Sequence, residues 1–254
     1  MPVGCAIALR NRIFVNMSED FSRANQSVAM TRAALEQDLI RSHFEDSHPE
    51  VPLLTNDEFR SSIATLLSDR PPGSEHIDGI HLFAYGSLVW NPCIEVAERH
   101  TVRLEGYHRD FCLSMEQGRG SPEAPGLMLS LVPGGVSEGV ALRVAERDLE
   151  SELLLVWRRE MLTGAYEPRW VTLTSAERSF PGIAFVANAE HDRYIEGLED
   201  HDIVHRLSTG KGVLGSCQEY LDNTVAHLRD LGIEDDYLES IQYAVHALRG
   251  DTGR

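Results

Sequence analysis

The chain is short of basic residues. It carries 23 Lys and Arg against 40 Asp and Glu, for a formal net charge of −17. A general nucleic-acid binder needs a basic patch, and an anionic membrane attracts polybasic segments, so neither partner is expected. Cysteine is sparse. Cys5, Cys93, Cys112 and Cys217 are widely scattered and form no C-x-x-C pair, so neither a zinc knuckle nor a redox motif is indicated. Free thiols in a reducing cytoplasm are the expected state. Long apolar runs are missing too. No stretch approaches the roughly 18 uninterrupted apolar residues of a membrane span. The apolar start, Met1–Leu9, has no basic leader and meets Arg10 and Arg12, so it does not read as a signal peptide. There is no internal repeat and no low-complexity tract.

What is present is ordinary for a globule: 254 residues, 42 % apolar and 25 % charged. That length permits one large domain, or a domain with an appendage. Residues 1–76 read as an N-terminal helical extension. Ala29, Ala33, Leu35, Leu39 and Ile40 give Ser27–Phe44 helical spacing. Thr55-Asn56-Asp57-Glu58 is a capping box, and Phe59, Ile63, Leu66 and Leu67 line one face of the helix it starts. Arg70-Pro71-Pro72-Gly73-Ser74 is a linker. The expectation is that these helices pack on the outside of a main domain at 77–254.

In that domain Ile80–Ala84 is a buried strand. Strand-like pieces follow in Arg99–Met115, then Leu127–Val132 and Val136–Val144, with Pro133-Gly134-Gly135 read as the hairpin turn between the last two. After a helix over Asp148–Thr163, strands return at Trp170–Leu173 and Ile183–Val186. Helices at His191–Leu207, with room for a break, Gln218–Leu231 and Glu234–Leu248 close the chain, with Gly250 suited to the final C′ position. Strands before and after one central helix indicate α+β architecture rather than regular βαβ alternation.

Two stretches carry chemistry. The first strand breaks at Tyr85-Gly86-Ser87-Leu88 and leaves through Trp90-Asn91-Pro92. Gly86 lets a ligand approach the backbone, and N–H groups freed after the strand suit an anion; an ordinary strand-ending turn reads the same way. The second is the Asp148–Thr163 helix. With Leu149 at zero, Leu153 falls near about 40°, Val156 near about 340° and Trp157 near about 80°. Glu160 lands near about 20°, inside that apolar stripe. Ser151, Glu152, Arg158 and Arg159 mark the side expected to be solvated. A carboxylate on a buried face must be paired, hydrogen-bonded or protonated, and desolvation raises its pKa as a general base requires. Pairing with a core arginine, or a place at the stripe's edge, accounts for it equally well.

Tyr85–Leu88 with Trp90-Asn91-Pro92 resembles the opening motif of the ChaC-family γ-glutamylcyclotransferases. Three further stretches match in order: Gly106–Cys112, Gly118-Arg119-Gly120, and Trp157–Met161 followed by Gly164-Ala165-Tyr166. The resemblance runs from about Ile80 to the C-terminus and is strongest to the bacterial glutathione-specific branch. It implies a mixed, barrel-like β-sheet core surrounded by helices. It also implies that Glu160 is the catalytic base of an intramolecular cyclisation giving 5-oxoproline and Cys-Gly, with no metal or organic cofactor. Phe83, Ala84, Tyr85, Gly86, Ser87 and Leu88 are the implied substrate-binding turn. Arg119 is a candidate for the carboxylate at the substrate's far end, and Tyr166 and Tyr220 for pocket walls. Tyr107 and Arg109 are assigned to strand packing and site support. The chain departs from the pattern at Ala84, where relatives commonly have Gly, and at Ser216-Cys217, where they carry a polar residue such as Asn.

Other signals are weaker. His201 and His205 stand four apart on a helix beside Glu199, Asp200 and Asp202, without H-E-x-x-H. Ser87 lacks a G-x-S-x-G elbow, and Gly118-x-Gly120 is not followed by a helix signature. The same chemistry on other γ-glutamyl amines, and a non-catalytic ligand-binding or regulatory protein, are the competing readings.

Overall fold

The computed structural model describes residues 29–72 and 78–250. Strands β1 (Ile80–Ala84), β2 (Glu98–Met115), β3 (Gly126–Val144), β4 (Tyr166–Thr174) and β5 (Ser179–Ala187) close a barrel in the order β1-β3-β2-β4-β5. β1 runs parallel to β5, and every other pair is antiparallel. β1 is buried along its whole length, as a strand paired on both edges and covered on both faces must be. The mixed barrel that the resemblance implied is therefore present.

Helices surround it: α1 (Arg32–Glu36), α2 (Leu39–Ser47), α3 (Asn56–Ser68), α4 (Leu149–Glu160), α5 (Asp200–Thr209), α6 (Cys217–Asp230) and α7 (Asp236–Arg249). Thr55 caps α3 as expected: its hydroxyl accepts from the Glu58 N–H at 3.2 Å, and the Glu58 carboxylate accepts from the Thr55 N–H at 2.7 Å. The core continues from barrel to helices. Trp157 of α4 meets Phe185 of β5 edge to face at 5.2 Å, and its indole N–H donates to Ser62 of α3 at 3.0 Å.

Five expectations about the fold need correction. The Ser27–Phe44 helix is two helices among its described residues, because Asp38 takes a left-handed φ of 54° between α1 and α2; Ser27 and Val28 lie outside the described residues. Pro133-Gly134-Gly135 is not a hairpin turn. It lies inside β3, opposite Gly106 of β2, and Gly106, Gly134 and Gly135 all have positive φ. The three glycines let two long strands bulge and coil together, which a local reading of Pro-Gly-Gly cannot separate from a turn. The true β2–β3 connection is residues 116–125. The His191–Leu207 helix begins only at Asp200. Residues before it run along β2, with the Ser114 N–H donating to Arg193 O and the Ile195 N–H to Cys112 O, both at 2.8 Å.

The fourth correction concerns α4. Glu152 and Arg159 are not on a solvated face. Glu152 is 2 % exposed, and the Arg159 side chain 5 %. Glu152 is buried because Arg32 reaches it with two hydrogen bonds of 2.7 Å from the N-terminal segment. That segment does not pack only on the outside, since Met30, Ile40 and Phe44 line the cavity described next.

Candidate active site

A cavity of about 140 Å³ opens where β1 ends. Tyr85 to Trp90 turn away from the barrel, closed by the Val89 N–H on Gly86 O at 2.9 Å and the Asn91 N–H on Ser87 O at 2.8 Å. α4 delivers Glu160 to the same cavity as its last residue. Arg159 joins the two. Its Nε lies 2.8 Å from Glu160 Oε1, its Nη2 donates to Ser87 Oγ at 2.7 Å, and its Nη1 donates to the Asn91 carbonyl.

Burial pushes the Glu160 carboxyl above its ordinary value, against the charge and hydrogen bond of Arg159, which pull it down. Burial wins, and the group is a carboxylate of raised proton affinity. Tyr85, Tyr166 and Tyr220 line the cavity with it. Burial pushes the first two well above their ordinary values and Tyr220 up to about 12, with the Glu160 charge adding to each rise. All three are neutral phenols at physiological pH. The Tyr85 hydroxyl donates to Phe185 O at 2.7 Å, and the Tyr166 hydroxyl to Leu129 O at 2.9 Å. A Cβ at Gly86 would stand 2.6 Å from the Tyr220 hydroxyl, so glycine is what lets Tyr220 cover the turn.

Arg119 reaches the cavity from the β2–β3 connection. Its Nη1 donates to Ser216 O at 3.0 Å, its guanidinium stands 5.4 Å from the Tyr220 ring centre, and its own carbonyl accepts from Cys217 Sγ at 3.1 Å. The Ser216-Cys217 departure thus bears on how Arg119 is held. Arg109 supports the turn from behind. Buried in the barrel wall, it donates to Tyr85 O at 2.8 Å, to the Glu138 carbonyl, and to Asp235 at 2.8 Å.

Of the residues expected at the site, Glu160, Tyr85, Gly86, Ser87, Leu88, Arg119, Tyr166 and Tyr220 come together on one cavity. Phe83 and Ala84 do not line it. Both are fully buried in β1, and Phe83 packs where a Cβ on Gly139 would stand 2.8 Å away. The sequence reading missed Arg159, Asn91 and Arg193. Arg193 lines the cavity from the irregular stretch after β5, donating to Ser114 O at 2.6 Å and Thr163 Oγ1 at 3.1 Å. Arg159 had a signal, its place beside Glu160, but the helical angle pointed it to solvent. Three guanidiniums and one carboxylate give the cavity a positive excess inside an acidic protein, which suits an anionic ligand. Among the described residues no group of three His, Cys, Asp or Glu is placed to hold a metal ion, and the His201 ring lies on the surface 3.5 Å from Asp202.

A model of ChaC-like proteins matches residues 80–248, well over half of the chain. The chain belongs to the ChaC family. A relative from Escherichia coli, named as a glutathione-specific γ-glutamylcyclotransferase, is 38 % identical over 78 % of this chain and 85 % of its own. A Rattus norvegicus relative named as glutathione-specific γ-glutamylcyclotransferase 1 is 28 % identical over 66 % of this chain and 78 % of its own. A crystal structure of a glutathione-specific γ-glutamyl cyclotransferase from yeast superposes with a TM-score of 0.62 at 18 % identity. It covers 67 % of this chain and 96 % of the yeast chain, a likeness of fold. This ChaC chain thus carries the family's barrel, with the Tyr85–Leu88 turn and Glu160 facing one cavity.

Proposed function

We propose that the chain is a glutathione-specific γ-glutamylcyclotransferase with Glu160 as its general acid and base. The observation that carries the reading is the Glu160 carboxylate, of raised proton affinity, in one cavity with the Tyr85–Leu88 turn. The substrate α-amine attacks its own γ-carbonyl. The new bond joins that nitrogen to the γ-carbon, and the bond from the γ-carbon to the cysteine nitrogen breaks. The products are 5-oxoproline and Cys-Gly.

Nucleophile and electrophile share one molecule, so the cavity must fold the substrate into the attack geometry. Glu160 accepts the proton that the ammonium must lose and passes it to the leaving nitrogen. The Tyr85–Leu88 backbone holds the glutamyl carboxylate or the developing oxyanion. Arg119 receives the glycyl carboxylate, a role for which a guanidinium is suited. Neutral Tyr166 and Tyr220 wall the site without adding charge. The reaction as written needs no metal or organic cofactor. Free Cys93, Cys112 and Cys217 and a thiol substrate fit the reducing cytoplasm, the compartment we propose.

Product analysis tests this reading. Wild type is expected to release 5-oxoproline and Cys-Gly from reduced glutathione, and Glu160→Gln to bind glutathione with turnover lower by about 10²–10⁴, the usual worth of a general base. Equal turnover of γ-glutamyl-alanine transfers the reading to a broader cyclotransferase. Binding without turnover in wild type makes the chain a binding protein and removes the role given to Glu160.

A further inference from the structure

The family match begins at Ile80, yet three cavity-lining side chains lie before it: Met30, Ile40 and Phe44. Ile40 and Phe44 are 4 % and 7 % exposed, so they are wall rather than rim. The segment that carries them is tied to the elements that carry the site. Arg32 holds Glu152 on α4 with two bonds of 2.7 Å, and Arg158 of α4 donates to Leu35 O at 2.8 Å. At one end, Asn91 Nδ2 donates to Met30 O at 2.9 Å, while the Asn91 carbonyl receives Arg159. At the other, the Leu54 N–H donates to Leu162 O at 2.9 Å, two residues beyond Glu160.

These three side chains extend an apolar lining that includes Leu88, Met128, Leu162 and Phe185, while Glu160 and three arginines supply the cavity's charge. A γ-glutamyl tripeptide has charged ends, which match the arginines and the turn. Its middle side chain in glutathione, CH₂SH, is small, uncharged and soft. An apolar wall complements that group, gives no solvation to a charged one, and leaves limited room for a large one. We propose that Met30, Ile40 and Phe44 are specificity-determining residues. The segment before β1 forms the subsite for the substrate's middle side chain and selects the free thiol over bulky thiol derivatives. This inference rests on the cyclotransferase reading.

The test compares kcat and KM of the full chain on reduced glutathione and S-hexylglutathione, for wild type, Phe44→Ala, Ile40→Ala and Phe44→Leu. The alanine variants are expected to shift kcat/KM toward S-hexylglutathione by roughly tenfold or more, the scale on which apolar pockets sort substrates by methylenes. Phe44→Leu restores most of the wild-type preference, which a merely structural role would not do. If Phe44→Ala does not fold, Ile40→Ala and Phe44→Leu still decide. An unchanged preference in variants that turn over glutathione overturns the inference and leaves the cyclotransferase reading standing. Absence of turnover of both compounds by wild type overturns both.

Discussion

Arg159 Nε lies 2.8 Å from Glu160 Oε1, although the two residues are adjacent on one helix. Neighbours at i and i+1 on a helix do not face each other, since about 100° separates them. The pair forms because Glu160 is the last residue of α4 and Met161 is already its cap. The long Arg159 side chain is held by Ser87 and Asn91 on the turn after β1, and the carboxylate comes to it. The base and the substrate-facing turn are thereby coupled through one guanidinium.

Removing that guanidinium is expected to move the pH profile. A base must be ionised, so kcat/KM is lost as pH falls through the raised pKa of Glu160. Arg159 pulls that pKa down. Arg159→Met lifts it further, so the acid limb moves to higher pH. Misplacing the carboxylate lowers kcat by about 10²-fold as well. Arg159→Lys keeps a charge and shifts the limb less. An acid limb that stays in place in Arg159→Met would show that Arg159 does not tune Glu160.

A second prediction concerns Gly86. Its Cβ would meet the Tyr220 hydroxyl at 2.6 Å, and Tyr220 is a buried, stiff side chain. Gly86→Ala must push Tyr220 off the turn. The expected result is a folded protein whose kcat/KM falls by about tenfold or more, as a displaced positioning wall costs. Circular dichroism and steady-state kinetics on the same sample check it. Unchanged kinetics would mean that Tyr220 has no part in shaping the site.

These couplings also mark what could be read from the chain before its fold was known. β1, the Thr55 cap, the Tyr85–Leu88 turn and Glu160 within an apolar stripe rest on local spacing, and each stands where expected. Arg159 and Glu152 defeated the same method. A helical wheel assigns a charged residue to solvent, and only partners distant in sequence, Ser87 and Arg32, bring these two inside. Pro133-Gly134-Gly135 failed for the same reason, because its meaning is set by Gly106 across the strand pair. Phe83 and Ala84 sit beside the turn in sequence, yet the strand buries them. Tertiary partners decided every one of these cases.

Arg109 carries a stability prediction. It satisfies the Tyr85 and Glu138 carbonyls and the Asp235 carboxylate, and its side chain is 2 % exposed. Asp235 in turn caps α7, accepting from the Leu238 N–H at 3.0 Å. Arg109→Met leaves a carboxylate and two carbonyls without their partner. Breaking a buried pair from one side costs about 3–5 kcal/mol. For a chain of this size the melting temperature should fall by roughly 10 °C. A loss of only a degree or two would mean that water replaces the guanidinium.

Glu152 gives stability a pH dependence of known sign. Burial alone would raise its pKa above the ordinary 4.5, but the two bonds from Arg32 and the Glu95 N–H, at 2.9 Å, bring it below. A carboxyl whose folded pKa is depressed stabilises the fold above its unfolded value. It loses that contribution as pH falls through the folded value. Glu160 works in the opposite sense: its raised pKa makes ionisation costly to the fold, so its cost appears as pH rises through that value. Replacing Glu152 by Gln removes the first effect and leaves the second. Glu152→Gln should melt below wild type at pH 7, and the gap should close as pH falls below the ordinary carboxyl range and on through the depressed folded value, where Glu152 itself takes up its proton. Melting curves of both proteins from pH 3 to 8 measure this. A gap that stays constant with pH would assign the role of Glu152 to shape and packing, with no part played by its charge.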